Sequence, residues 1–99
     1  MIRGTTPLLE FDIPFDTSSI AEAFVTLSQN RKVILDKPLS ECKCSSNKLS
    51  VRLSQEETLQ LDCDCNTEIQ VRVRTIEGDA LASDIIAVRT DRILKDGVI

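Results

Sequence analysis

The chain has 99 residues, of which 41% are hydrophobic and 28% charged, so we expect one soluble domain spanning residues 1–99. Its formal net charge is −4, its basic residues are scattered, and its only aromatic residues are three phenylalanines. Nucleic-acid binders need a basic patch with stacking platforms, and a membrane span needs about 18 consecutive apolar residues. The sequence has neither, which excludes both nucleic acid and membrane as expected partners.

The first predicted element is a strand in PLLEFDIP, residues 7–14, where apolar residues recur at every second position. The next stretch, residues 19–29, fits two structures. Ser19 and Glu22 have the spacing of a helical capping box, whereas apolar residues alternate from 23 to 27 as they do in a strand. We favour a strand from about residue 22, because a β-branched pair follows there and SQNRK, at 28–32, is typical of a hairpin turn.

The middle of the chain predicts a hairpin and one helical turn. SSNK, residues 45–48, is a turn sequence that separates a segment containing ECKC from the alternating strand KLSVRL. SQEET follows, with the capping-box spacing between Ser54 and Glu57. The segment has room for a single helical turn, which we place near residues 54–60.

The last third of the chain predicts two further strands. In EIQVRVRT, the residues Ile69, Val71 and Val73 share one face and alternate with polar residues. After a turn at EGD, SDIIAVRT places Ile85 and Ile86 on opposite faces, so we expect partial cover on both sides. Strands separated by turns about every 8–12 residues are typical of a sandwich or barrel. We therefore predict an all-β antiparallel sandwich of about seven strands.

Seven strings spread over nearly the whole chain resemble a family of small uncharacterised proteins encoded in phage and prophage regions of Gram-positive gut bacteria. They are MIRGTTP, IPFDTSSI, LSQN, VRLSQEETLQL, EIQVRV, ALASDII and ILKDGVI. The resemblance implies an immunoglobulin-like β-sandwich from a neighbourhood of virion structural proteins. It implies no catalytic or binding residues.

Four cysteines form two C-x-C pairs, Cys42 with Cys44 and Cys63 with Cys65. We expect both pairs toward the same end of a sandwich, where a zinc cluster or two disulfides, Cys42–Cys65 and Cys44–Cys63, would be open to them. Structural zinc prefers wider spacing, and cytosolic thiols normally stay reduced. Typical members of the resembled family lack these cysteines. We favour free cysteines that pack as small apolar side chains, and we keep a thiol-based metal-binding or redox module as the alternative function.

The residue inventory for catalysis is thin. Histidine is absent, so the chain cannot form a Ser-His or Cys-His pair, and three glycines are too few for a phosphate-binding loop. Neighbouring carboxylates such as Glu56 and Glu57, or Asp62 and Asp64, are more typical of solvated turns. We predict that the protein is not an enzyme, has no cofactor and binds no small-molecule substrate.

The segment RILKDGVI, residues 92–99, ends on the apolar residues Val98 and Ile99. It fits either a last short strand on the protein's own sandwich or an apolar hook that contacts a neighbouring subunit's sheet edge. With the resemblance, this favours a non-enzymatic structural or adaptor component of a phage or prophage particle, whose partners are other particle subunits or itself. MIRGTTPLLEFD has no signal-peptide pattern, so the expected location is the cytoplasm of the producing cell, or a virion assembled there.

Overall fold

A computed structural model describes residues 1–99 and contains eight strands. The strands are β1 (Leu8–Asp12), β2 (Ile20–Gln29), β3 (Lys32–Pro38), β4 (Lys43–Ser45), β5 (Lys48–Arg52), β6 (Cys65–Thr75), β7 (Ala80–Ala82) and β8 (Ile86–Thr90). The helical elements are one short helix, α1 (Gln55–Thr58), and two 3₁₀ turns, Thr17–Ser19 and Leu39–Glu41. The predicted all-β, sandwich-like fold is confirmed, and the predicted helical turn near 54–60 is α1. No helix has the length and hydrophobicity that crossing a bilayer requires.

The strands form two antiparallel sheets. One has three strands in the order β1-β5-β4, and the other has five and is built around β2 and β6. In the five-stranded sheet, β3 pairs with one side of β2 and β6 with the other. β7 and β8 then pair with consecutive parts of the remaining side of β6, at Arg72–Arg74 and Cys65–Ile69 respectively. One side of β6 is therefore covered by two short strands in succession.

The core lies between the two sheets and consists of the apolar rows that the alternation predicted. In β6, Val71 is 5% exposed and its outward neighbour Arg72 lies on the surface. Val25 of β2 pairs with Val71 in register, and Val51 of β5 reaches the same cluster from the three-stranded sheet. Because one buried cluster draws on both sheets, the two sheets stabilise each other by apolar burial.

The ambiguous stretch 19–29 is a strand, as favoured, and it begins at Ile20 rather than about residue 22. β2 is hydrogen-bonded on both sides, and its apolar residues from 23 to 27 alternate between the core and the outer face. Ser19 caps no helix. Asp16 instead caps the 3₁₀ turn before β2 by accepting a hydrogen bond from the Ser18 N–H at 2.9 Å. Pairing on two sides, available only in the folded chain, outweighs the local capping pattern.

The predicted turns are present, with one change of residue. Asn30 and Arg31 both have positive φ, 51° and 63°, as the two-residue hairpin between β2 and β3 requires. In the β4–β5 hairpin we expected Asn47 to take the positive φ, but Ser46 has it, at 51°. Gly78 takes a φ of 98° in the turn before β7. The turn positions are thus readable from sequence, whereas the residue that adopts the left-handed conformation depends on the turn type.

α1 is short but firmly held. Ser54 and Glu57 form a complete capping box, with bonds of 3.1 Å and 2.9 Å between each side chain and the other residue's N–H. Glu57 also pairs with Lys37, an inward-facing lysine of β3 that contacts Glu41 as well. Partial burial opposes ionisation of Glu57, but its bonds to Lys37 and the Ser54 N–H outweigh burial and lower its pKa. The same contacts outweigh burial at Lys37 and raise its pKa.

Candidate functional site

The outermost segment of the five-stranded sheet, residues 80–88, has one side paired with β6 and the other side free of any strand. We call this segment the open edge. Ser83 joins its two strands, because its N–H donates to the Val71 carbonyl at 2.9 Å and its hydroxyl accepts from the Val71 N–H at 3.1 Å. Gln70 donates to the Ser83 carbonyl at 2.9 Å. The open edge therefore follows β6 continuously despite the break between β7 and β8.

The N-terminal residues cover the sheet beyond the open edge. The Asp91 N–H donates to the Met1 carbonyl at 2.7 Å, and the Arg3 N–H donates to the Asp91 carbonyl at 3.1 Å. Ile2 thereby forms a parallel bridge to Asp91. Since this pairing begins after β8, it leaves residues 80–88 uncovered.

The open edge is apolar. Ile85 is 58% exposed and Ile86 is 50% exposed, so the expectation that both faces are partly covered there is wrong. The reason is that the three-stranded sheet does not extend over β8. At the opposite edge, β3 has Lys32, Asp36 and Pro38, the charged residues and proline that natural edge strands use against unwanted pairing. The open edge has only Asp84 as a charged residue, and it is better suited to pairing with another chain.

An apolar groove lies beside β7, between that strand and the segment that links β1 to β2. It has two adjoining hollows, of about 240 and 450 Å³, that share Phe15 and Leu81. We call it the Phe15 groove. Its first hollow is lined mainly by apolar side chains, while the second has Ile76, 71% exposed, beside the carboxylates of Glu77 and Asp79. Neither carboxylate has an ion-pair partner, so the groove is apolar at its base and negative at one rim.

Residues 92–99, which we call the tail, form no strand. The predicted last short strand is therefore wrong. Gln55 of α1 holds the tail by its backbone: the Gln55 amide donates to the Ile99 carbonyl at 3.1 Å and accepts from the Ile99 N–H at 2.9 Å. Because these bonds use only the backbone, the side chains stay outside, with Val98 54% and Ile99 90% exposed. Leu94 is 93% exposed.

All four cysteines are free thiols. Cys42 is half-buried against the core, and its thiol donates to the Pro38 carbonyl at 3.4 Å. Burial, together with Cys44, raises the pKa of Cys42. Cys44 is exposed, unlike the packed side chain that we favoured for each cysteine. Cys63 and Cys65 are half-buried in and after the loop that leads into β6.

The prediction that the two cysteine pairs lie toward the same end is wrong. The turn after Cys44 packs against the start of β2, where the Thr17 N–H donates to the Ser46 carbonyl at 2.7 Å. Cys65 lies at the other end of β2, where its sulfur accepts a bond from Gln29 at 3.4 Å. A ten-residue strand spans about 30 Å at roughly 3.3 Å per residue. The cross-linking disulfides and the four-thiolate cluster are incompatible with this separation, and no group of three or more metal-ligating side chains is present.

Gln29, Gln55 and Phe15 have structural roles that the sequence did not indicate. Gln29 was placed in a turn but is buried, and Gln55 bonds a segment 44 residues away. Neither contact leaves a local pattern in the sequence. The open edge had a detectable signal, since ALASDIIA is an apolar run with one charged residue.

Comparisons of the chain with protein-family models, with curated proteins and with solved structures found no match. The open edge, the Phe15 groove and the tail are therefore interpreted from their geometry and chemistry.

Proposed function

We propose that the protein is a non-enzymatic structural or adaptor component of a phage or prophage particle, and that it acts through protein–protein contacts made at its open edge. The observation that carries the proposal is the apolar, unpaired strand segment at residues 80–88. The resemblance to phage- and prophage-encoded proteins supports the particle as the setting. The partner is another particle subunit or a second copy of the chain.

The open edge suits recognition by strand addition. An incoming extended segment would pair with the free backbone groups of residues 80–88 and extend the five-stranded sheet by one strand. Ile85 and Ile86 point to opposite faces, so a partner strand would cover an apolar side chain on each face. Each is about half exposed, and full burial of an isoleucine is worth roughly 1.5–3 kcal/mol, so each would contribute about 1 kcal/mol.

Site-specific photo-crosslinking in the producing cell tests this proposal. A photo-reactive residue is placed at Ile85, and a matched one at Glu56, which is exposed on α1 far from the open edge. We expect crosslinks to one or a few particle proteins, or to the chain itself, from position 85 and not from position 56. Equal crosslinking from both positions, or none from position 85, would contradict the proposed use of the open edge.

A further inference from the structure

The tail and the Phe15 groove lie at opposite ends of β1. The tail is held by Gln55, in the helix that follows Leu53, whose N–H donates to the Pro7 carbonyl just before β1. The groove begins where β1 ends, at Asp12. With its tail held at α1, a chain leaves its own groove unfilled.

The tail and the groove have complementary chemistry. The tail presents Leu94 and Ile99, the two most exposed large apolar side chains of the molecule. It also has Arg92 and Lys95, neither of which has an ion-pair partner. The groove offers an apolar base and the unpaired carboxylates of Glu77 and Asp79 at its rim. Two unpaired cations beside apolar side chains thus match two unpaired anions beside an apolar hollow.

We propose that residues 92–99 of one copy dock into the Phe15 groove of a second copy, so that the protein assembles head to tail. This inference deepens the proposed function, on which it rests, by naming a second copy of the chain as one partner. Leu94 and Ile99 fill the two hollows, and Arg92 and Lys95 face Glu77 and Asp79. The contact is heterologous, because each copy uses a different surface to bind each neighbour. Such contacts build a ring when the rotation between copies closes, and a filament when it does not.

The anchoring of the tail favours this contact. Gln55 fixes Ile99, and Arg3 pairs with Asp96 at 3.6 Å, so the tail is held before a partner arrives. A segment that is already ordered loses less conformational freedom on binding than a free peptide does. Weakening the anchor should therefore weaken association even though Gln55 does not touch the groove.

Sedimentation of the full chain and two surface variants tests the proposal. The groove variant is Ile76→Asp, and the tail variant combines Leu94→Asp with Ile99→Asp; all three side chains are at least 71% exposed, so folding should be preserved. Val33→Asp, at a 58% exposed position on β3, is the control. We expect concentration-dependent association of the unmodified protein and of the control. Each surface variant should lose at least tenfold in association constant, with thermal melts like that of the unmodified protein.

Mixing the two variants distinguishes a head-to-tail contact from a symmetric one. The tail variant keeps an intact groove and the groove variant an intact tail, so the mixture should form a 1:1 heterodimer and nothing larger. Glu77→Lys should also weaken association, and Lys95→Glu on the same chain should partly restore it. A mixture that stays monomeric, or surface variants that associate like the control, would overturn the proposal.

The proposed function and this inference fail in different ways. A monomer that still crosslinks to another particle protein through position 85 overturns the head-to-tail contact and leaves the proposed function intact. Association through the tail without any crosslink from position 85 overturns the use of the open edge and leaves the head-to-tail contact intact.

Discussion

Gln29 joins the end of β2 to the loop that carries the second cysteine pair, and its substitution should loosen that loop. Gln29 is 2% exposed. Its amide donates to the Asp62 carbonyl at 2.9 Å and to the Thr67 hydroxyl at 3.0 Å, and its carbonyl accepts from the Asp62 N–H at 2.8 Å. Methionine has a similar length but cannot make these bonds, so Gln29→Met removes three hydrogen bonds with little change in volume.

The expected cost follows from the groups left without a partner. Thr67 keeps its bond to Thr90, so the N–H and carbonyl of Asp62 are the groups that lose. An unsatisfied buried group costs about 1–3 kcal/mol, and since Asp62 is exposed enough for water to replace part of each bond, the lower value of about 1 kcal/mol applies to each. Gln29→Met should lower the free energy of unfolding by about 2 kcal/mol, which corresponds to a Tm lower by about 8–16 °C for a domain of this size.

Urea and thermal melts measure this loss, with Gln60→Met as the matched control. Gln60 is exposed and its side chain makes no hydrogen bond, so its substitution should change stability by no more than about 0.5 kcal/mol. Cys65 should also react faster with a thiol reagent in Gln29→Met, because its sulfur contacts the Gln29 amide. Equal melts for the two variants would refute the role given to Gln29.

Three further predictions follow from the core, the helix cap and the cysteines. Val71→Asp should destabilise by several kcal/mol and Arg72→Ala by no more than about 0.5 kcal/mol, and urea melts in the reverse order would place β6 in the wrong register. Glu57 has a lowered pKa in the folded state, so its contribution is present above about pH 4.3 and is lost as the pH falls further; in pH-dependent melts Glu57→Gln should remove that part of the acid sensitivity. A chelator should leave the Tm unchanged, whereas chelator-induced unfolding would reveal a structural metal.

The strands were predictable because their signal is local. Alternation around Val71 and around Val51 requires only that one face of a sheet is buried, and both residues are in the core. The same holds for α1, whose capping box lies within four residues. The stretch 19–29 was ambiguous because Ser19 and Glu22 favour a helix locally, while its pairing with two strands depends on distant residues.

The candidate site was less predictable, since it depends on which strands become neighbours. The sequence placed Cys44 and Cys65 in similar motifs, but the hairpins carry them to opposite ends of β2. The apolar end of the tail was recognised at Val98 and Ile99, whereas its anchor on Gln55 has no local signature. The Phe15 groove likewise joins residues that are more than 60 positions apart in the chain.

The copy number of this protein in purified particles tests the central claim most directly. Particles from the producing cell are purified, and the protein is quantified by mass spectrometry against a major particle subunit. We expect a fixed ratio across preparations, and an Ile85→Lys variant that accumulates in the cell but is depleted from particles. A protein that is present in the cell and absent from purified particles would contradict a structural or adaptor role in the particle.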